Sequence, residues 1–136
     1  MSIKIAVGGP FLDVLVTDVL AEADLPPLLE AIEAARQRGP FIILTDTLQM
    51  KSAPRTVIQE FASALKRLPL MKGVWLGDAV VTSSAVTRFL LSTLIMVAPL
   101  PTEVQVFERR EHAERWCAFL LTKAGVPVPS QLKRFA

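Results

Sequence analysis

Apolar and polar positions alternate at the start of the chain, and this pattern predicts an opening β-hairpin. Ile3, Ile5 and Val7 alternate with Lys4 and Ala6, which is the period of a half-buried strand. The segment Gly8-Gly9-Pro10 predicts a turn, and a second β-rich run follows over Phe11–Val19. We therefore expect two antiparallel strands at the beginning of the fold.

Four later stretches have the apolar spacing of amphipathic helices. The first follows Asp24, carries prolines in its first turn and ends before Gly39-Pro40. The second is expected to be capped by Ser52, with Pro54 in its first turn, and to end before Pro69. A serine, Ser83 or Ser84, is expected to cap a third helix that runs to about residue 98, and the last helix is predicted over 110–121.

Strand-like runs separate these helices. Residues 41–44 are continuously apolar, as in a strand buried on both faces, and a loop is predicted from there to about residue 53. A second run, 74–82, is interrupted by Gly77 and Asp78, and a last strand is predicted over 103–107. The order β-β-α-β-α-β-α-β-α predicts an α/β fold with a single mixed, mostly parallel sheet covered by helices.

Length and composition set the frame for this fold. The 136 residues favour one domain, which we place at 1–124, followed by an extended tail over 125–136 because Val126-Pro127-Val128-Pro129 disfavours helix. The apolar fraction of 51% excludes a disordered chain, and a net charge of +2 is too small to predict nucleic-acid binding. The N-terminus lacks the pattern of a signal peptide, and residues 85–100 are fewer than the roughly 20 apolar residues of a membrane span. We expect a cytoplasmic protein without a membrane span.

The candidate chemistry is sparse. The single cysteine excludes an intrachain disulfide, and Cys117 falls on the apolar stripe of the last helix, where it reads as a core residue. His112 lies five residues earlier, on a different side of that helix, so the two cannot form a catalytic pair. They are also too few for a zinc site, and Gly8-Gly9 is not followed by the helix that a phosphate loop requires. We predict no catalytic residues, no metal and no cofactor.

Segment 83–98 carries more apolar surface than one helix stripe needs. Leu91, Ile95 and Met96 extend the apolar surface beyond the core-facing stripe. These residues either pack under the adjoining helix or the C-terminal tail, or they form an exposed contact surface. Together with Arg88, they are our candidate interaction surface.

The order of the elements resembles that of the SpoIIAA-like branch of the STAS superfamily. The end of the chain resembles it too, with the pattern Val104-Gln105-Val106-Phe107-Glu108 followed by Ala113-Glu114-Arg115-Trp116. The relatives of that superfamily include SEC14-type lipid-binding domains. The resemblance covers about residues 3–121. It implies a non-enzymatic regulatory or ligand-binding module.

The resemblance also implies where a phosphoacceptor would lie. In the anti-anti-sigma branch, a serine in an Asp-Ser-Ser-Gly-like segment at the start of the second helix is phosphorylated by a partner kinase. This chain has Thr45-Asp46-Thr47 and, later, Ser52 in that region, without the Asp-Ser-Ser-Gly pattern. Thr47 and Ser52 are therefore the candidate phosphoacceptors, and we predict that neither is phosphorylated.

The function that we predict is binding, with protein as the expected partner and a second copy of this chain as one candidate. The alternative is a carrier of a lipid or another apolar ligand, bound between segment 83–98 and its neighbours. A carrier requires an apolar pocket of roughly 300 Å³ or more, whereas a docking module can have a filled interior.

Overall fold

The structure is a computed structural model that describes residues 2–69, 73–85, 87–88 and 101–135. Five strands form one sheet in the order β1-β2-β3-β4-β5. Their bounds are β1 Ile3–Gly8, β2 Phe11–Val19, β3 Phe41–Ser52, β4 Trp75–Val81 and β5 Val104–Phe107. β1 pairs antiparallel with β2, and the other neighbours pair in parallel. The predicted opening hairpin and the mostly parallel sheet are both confirmed.

The helices cover both faces of the sheet. Helices α1 (Leu25–Arg38) and α2 (Arg55–Lys66) pack on the side where Leu12, Val14 and Ile43 point. Helix α3 (Arg110–Lys123) packs on the other side, against Ile42 and Leu44. We call these sides the α1/α2 face and the α3 face. Because side chains alternate along a strand, β2 and β3 contribute apolar residues to both cores.

Strand β3 is longer than its apolar pattern predicts. The expected loop from Thr47 to about residue 53 is wrong, because β3 continues to Ser52. Its second half pairs with the end of β2, where Thr17 lies opposite Gln49 and Val19 opposite Ser52. The register shifts twice along this pairing. The two strand ends thus support each other although their side chains are mostly polar.

The start of α2 also differs from the prediction. The helix begins at Arg55, its N-terminal flanking residue is Pro54, and no side chain caps it. The predicted role of Ser52 as a helix cap is therefore wrong, because this residue still belongs to β3. Asp24 likewise does not cap α1, since its carboxylate accepts hydrogen bonds from the backbone N–H groups of Ser2 and Ala21.

Strand β4 runs through the two residues that were expected to interrupt it. Phe41 of β3 lies opposite Trp75, whereas Ile43 lies opposite Asp78, so β4 carries one extra residue there. This irregularity directs Gly77 to the α3 face and Asp78 to the α1/α2 face. A Cβ atom at residue 77 would lie 2.7 Å from Leu120 and 2.8 Å from Trp116, so only glycine allows α3 to approach this closely.

The end of the chain differs from the extended conformation expected for 125–136. Residues 126–129 have no regular structure, and Ser130–Phe135 form a 3-10 helix. Leu132 from this helix is completely buried in the core of the α3 face. Arg134 donates a hydrogen bond of 2.6 Å to Glu114 of α3. The last turn is thereby attached to the sheet.

Candidate functional site

An apolar cavity of about 140 Å³ lies on the α1/α2 face, between the sheet and the helices. The sheet contributes side chains such as Val14, Val16 and Val80, and α2 contributes Phe61 and Leu65. Its polar side chains among the described residues are the following: Thr45, Thr47, Asp78 and Thr87. Thr87 belongs to the described start of segment 83–98, so this part of the chain also borders the cavity.

Asp78 is the acidic residue in this cavity. Its carboxyl group is half-buried, and the Thr45 hydroxyl donates a hydrogen bond of 2.9 Å to Oδ1. No described residue donates a hydrogen bond to Oδ2. Burial in this apolar site raises the pKa of Asp78 to about 7, and the bond from Thr45 opposes the shift only in part. The carboxyl group can therefore gain or lose a proton near neutral pH.

A network of ion pairs lies on the opposite face of the sheet. Arg110, at the start of α3, donates both terminal nitrogens to Asp13 of β2 and also reaches Asp46 of β3 at 3.0 Å. Glu114 lies one turn further along α3, 3.6 Å from the Arg110 Nε atom, and also pairs with Arg134. Asp46 is only 6% exposed and accepts a further bond from the Leu48 N–H.

These carboxylates stabilise the positively charged form of Arg110. Burial acts to lower the pKa of Arg110, but the hydrogen bonds to Asp13 and Asp46 outweigh it and raise the pKa above its ordinary value. The network links β2, β3, α3 and the last turn of the chain. Its geometry is that of a structural clamp, in which each carboxylate already has a partner.

The two candidate phosphoacceptors lie on the same strand in different environments. The Thr47 hydroxyl donates a hydrogen bond of 2.7 Å to the Val81 carbonyl and lines the cavity. Ser52 is exposed, and its backbone carbonyl accepts a hydrogen bond from Leu20. They are five positions apart along the strand, so the structure does not bring them into one site.

The candidate interaction surface lies mostly outside the described residues. Leu91, Ile95 and Met96 belong to 89–100, which the described ranges do not include. Arg88 is described, and its guanidinium pairs with Glu108 at 2.8 Å, with both side chains substantially exposed. The first turn of this segment is capped by Ser84, whose hydroxyl accepts a hydrogen bond from the Thr87 N–H. Of the two predicted caps, Ser84 is the one that makes this bond.

The cysteine and the histidine of α3 lie where the helix pattern places them. Cys117 is completely buried, and burial raises the pKa of its thiol far above the ordinary value. His112 is exposed on the same helix. Within the described ranges, no group of three or more His, Cys, Asp and Glu side chains could hold a metal ion. No helix in these ranges is both long and apolar enough for a membrane crossing.

Asp78 and Arg110 are the residues that the sequence reading missed. Asp78 had a visible signal, because a lone acidic residue inside the run Val74-Trp75-Leu76-Gly77-Asp78-Ala79-Val80-Val81 is unusual for a buried strand. Arg110 had no comparable signal. Its partner Asp13 is 97 positions away in the sequence, and Asp46 is 64 away.

The sheet order and the helices on its two faces define a SpoIIAA-like α/β fold, as the resemblance implied, and solved structures confirm it. One match is a protein described as uncharacterized, from the DUF3478 family with a SpoIIAA-like fold, from Shewanella loihica PV-4. It has a TM-score of 0.57 and 15% identity, and the alignment covers 85% of this chain and 91% of the other.

A second solved structure with this fold is an anti-sigma factor antagonist from Mycobacterium paratuberculosis. Its TM-score is 0.55 with 14% identity, and the alignment covers 85% of this chain and 92% of the other. The sequence matches no protein-family model and no curated protein. The similarity is therefore one of fold.

Proposed function

We propose that this chain is a non-enzymatic regulatory module that acts through protein-protein contacts. The observation that carries the proposal is the structural match to an anti-sigma factor antagonist over 85% of this chain and 92% of that one. Asp13 and Asp46 on the α3 face are both engaged by Arg110, which agrees with a structural rather than a catalytic role for these carboxylates.

We place the contact surface at the carboxyl ends of β2 and β3. Beyond Asp46, the last residue of β3 that pairs with β4, the strand continues for six residues, of which Gln49, Met50 and Ser52 pair with β2. Two of the exposed large apolar side chains lie here, Leu48 of β3 at 41% and Val19 at the end of β2 at 44%. The carboxyl ends of parallel strands are where open α/β sheets usually bind their ligands.

Photocrosslinking in the native cell tests this placement. A photoreactive amino acid at Leu48 is expected to crosslink to a partner protein, and Leu48→Glu is expected to abolish its co-purification. Val7 is the matched control, since it is 55% exposed but lies at the turn end of β1, opposite Leu12. Equal crosslinking from both positions, or none from residue 48, would contradict the proposed surface.

Homodimerisation is a separate part of the proposal. It rests on the apolar excess of segment 83–98, where Leu91 and Ile95 are one helical turn apart in sequence. Light scattering of the double variant Leu91→Glu/Ile95→Glu is expected to show a folded monomer, and light scattering of the unmodified protein is expected to show a dimer. A monomeric unmodified protein at high concentration would exclude self-association.

The cavity favours a second candidate, the binding of a small apolar ligand. At about 140 Å³ it is half of the roughly 300 Å³ that typical ligand pockets reach. A lipid with long acyl chains would need more volume than this. Lipid extraction from the purified protein checks the carrier alternative, and reproducible stoichiometric lipid would favour it over the protein-contact proposal.

A further inference from the structure

The cavity on the α1/α2 face combines an apolar wall with one strong hydrogen-bond acceptor. Val14, Val80, Phe61 and Leu65 supply apolar surface, and Asp78 projects into it from β4. Oδ1 of Asp78 is engaged by Thr45, whereas Oδ2 receives no hydrogen bond from any described residue. A ligand that brings a donor to this oxygen would form a charge-assisted hydrogen bond in mostly apolar surroundings, where such a bond is strong.

The size of the cavity limits the ligand to one ring or a short branched chain. An engineered apolar cavity of about 150 Å³ binds benzene, and the present cavity has a volume of about 140 Å³. A carboxylate favours a donor that is also positively charged, because a cation compensates the charge as well as the hydrogen bond. An ammonium group has three N–H donors.

The remaining polar atoms of the cavity fit such a group. The Thr45 hydroxyl gives its proton to Asp78, which leaves its oxygen free to accept a bond. The Thr87 side chain also lines the cavity, and its hydroxyl has no described partner. Asp78, Thr45 and Thr87 therefore each bring an acceptor oxygen to the lining of the cavity, and an ammonium group has three hydrogens to donate.

We propose that this cavity is a binding site for a small apolar primary amine, with the ammonium group on Asp78 and the hydrocarbon part between the sheet and α2. Nothing in the protein-contact proposal requires such a site, so the inference extends the function beyond that proposal. Either can fail without the other, since the contact surface lies at Leu48 and Val19 and the cavity lies beneath α2.

Calorimetric titration with three probes of matched shape tests the proposal. The probes are benzylamine, benzyl alcohol and toluene, and the protein variants are the unmodified chain, Asp78→Asn and the control Asp18→Asn. Asp18 is an exposed carboxylate on β2, two strands away from β4, and pairs with Lys51. Benzylamine is expected to bind most tightly and to lose affinity about 10-fold or more in Asp78→Asn.

The toluene titrations and the Asp18→Asn control distinguish an amine-specific site from unspecific binding of apolar molecules. Toluene is expected to change less than about threefold in Asp78→Asn, and Asp18→Asn is expected to leave all three probes unchanged. Absence of benzylamine binding to the unmodified protein, or equal benzylamine affinity in Asp78→Asn, would overturn the proposal.

A second measurement uses the unmodified protein alone and does not depend on the folding of a variant. Amide chemical-shift changes on adding benzylamine are expected at residues that line the cavity, such as Val80, Phe61 and Thr87. Shift changes confined to residues outside the cavity, for example at the exposed pair Asp18 and Lys51, would overturn the proposal.

Discussion

The two faces of the sheet treat buried carboxylates in opposite ways. On the α3 face, Asp13 and Asp46 are both held by the guanidinium of Arg110. On the α1/α2 face, Asp78 has a threonine hydroxyl as its side-chain partner and lies in an apolar cavity. Removing the cation from a buried carboxylate pair destabilises a fold, whereas a carboxyl group with a strongly raised pKa in a cavity is a candidate for binding or proton exchange. The difference separates a structural face from a candidate ligand face.

The largest expected effect comes from removing the cation of the α3 face. Arg110→Met leaves Asp46 buried without its cationic partner, so the free energy of unfolding is expected to fall by about 2–4 kcal/mol. Urea denaturation measures this loss. Arg88→Met is the matched control, because it breaks an exposed pair with Glu108 that is worth less than about 1 kcal/mol. Similar losses in the two variants would contradict the structural role of the Arg110 network.

On the α1/α2 face, removing the charge of Asp78 is expected to raise the stability of the fold. The pKa of Asp78 is raised from 3.8 to about 7, so the folded state holds a proton that the unfolded chain releases between these values. Below pH 3.8 the group is protonated in both states and contributes nothing. As the pH rises towards 7 the unmodified protein loses stability, and above 7 the loss is complete.

Asp78→Asn removes this dependence and keeps an acceptor for Thr45. The difference in unfolding free energy between the variant and the unmodified protein is expected to grow by about 2–3 kcal/mol, in favour of the variant, from pH 5 to pH 8. Urea denaturation of both proteins at the two pH values gives the difference. A gap between the proteins that does not change with pH would show that folding does not raise the pKa of Asp78.

These predictions also show which parts of the molecule the sequence can specify. The hairpin, the order of helices and strands and the burial of Cys117 follow from the local spacing of apolar residues. The second half of β3 does not, because its polar residues 48–52 are held in place by pairing with β2. Ser52 looked like a cap because a proline follows closely, but strand pairing extends to that residue and the helix starts later.

Asp78 and Arg110 also differ in how far the sequence alone reveals them. Asp78 can be suspected from the sequence, as an acid in an apolar run, but the extra residue that turns it to the α1/α2 face depends on the register with β3. Arg110 contacts strands that are far away in the sequence. Tertiary pairing of this kind leaves no periodic pattern.

Two substitutions by larger residues test the packing on the two faces of the sheet. Gly77→Ala places a Cβ atom against Leu120 and Trp116 on the α3 face and is expected to cost about 1–3 kcal/mol. Ala62→Leu extends a side chain of α2 into the cavity, where free volume exists, and is expected to cost less than about 1 kcal/mol. Thermal melts compare the two. A larger cost for Ala62→Leu would mean that the cavity is filled.

The smallest effects concern the two hydroxyl groups of β3. Thr47→Val removes the bond to the Val81 carbonyl and is expected to cost about 1 kcal/mol. Ser52→Ala changes an exposed residue that caps no helix, so the expected cost is below about 0.5 kcal/mol. Thermal melts measure both, and a larger loss in Ser52→Ala would reverse the comparison. We also expect phosphopeptide mapping of protein from its native cell to find no phosphate at either residue.

The contrast between the two faces is tested most directly by the ionisation of Asp78 itself. Carbon-detected NMR can follow the side-chain carboxyl resonance of this residue through a pH titration of the folded protein. The account predicts a midpoint near pH 7, because the carboxyl group lies in an apolar cavity and has no cationic partner among the described residues. A midpoint near pH 4 would contradict it and would place Asp78 in contact with water or with a positive charge.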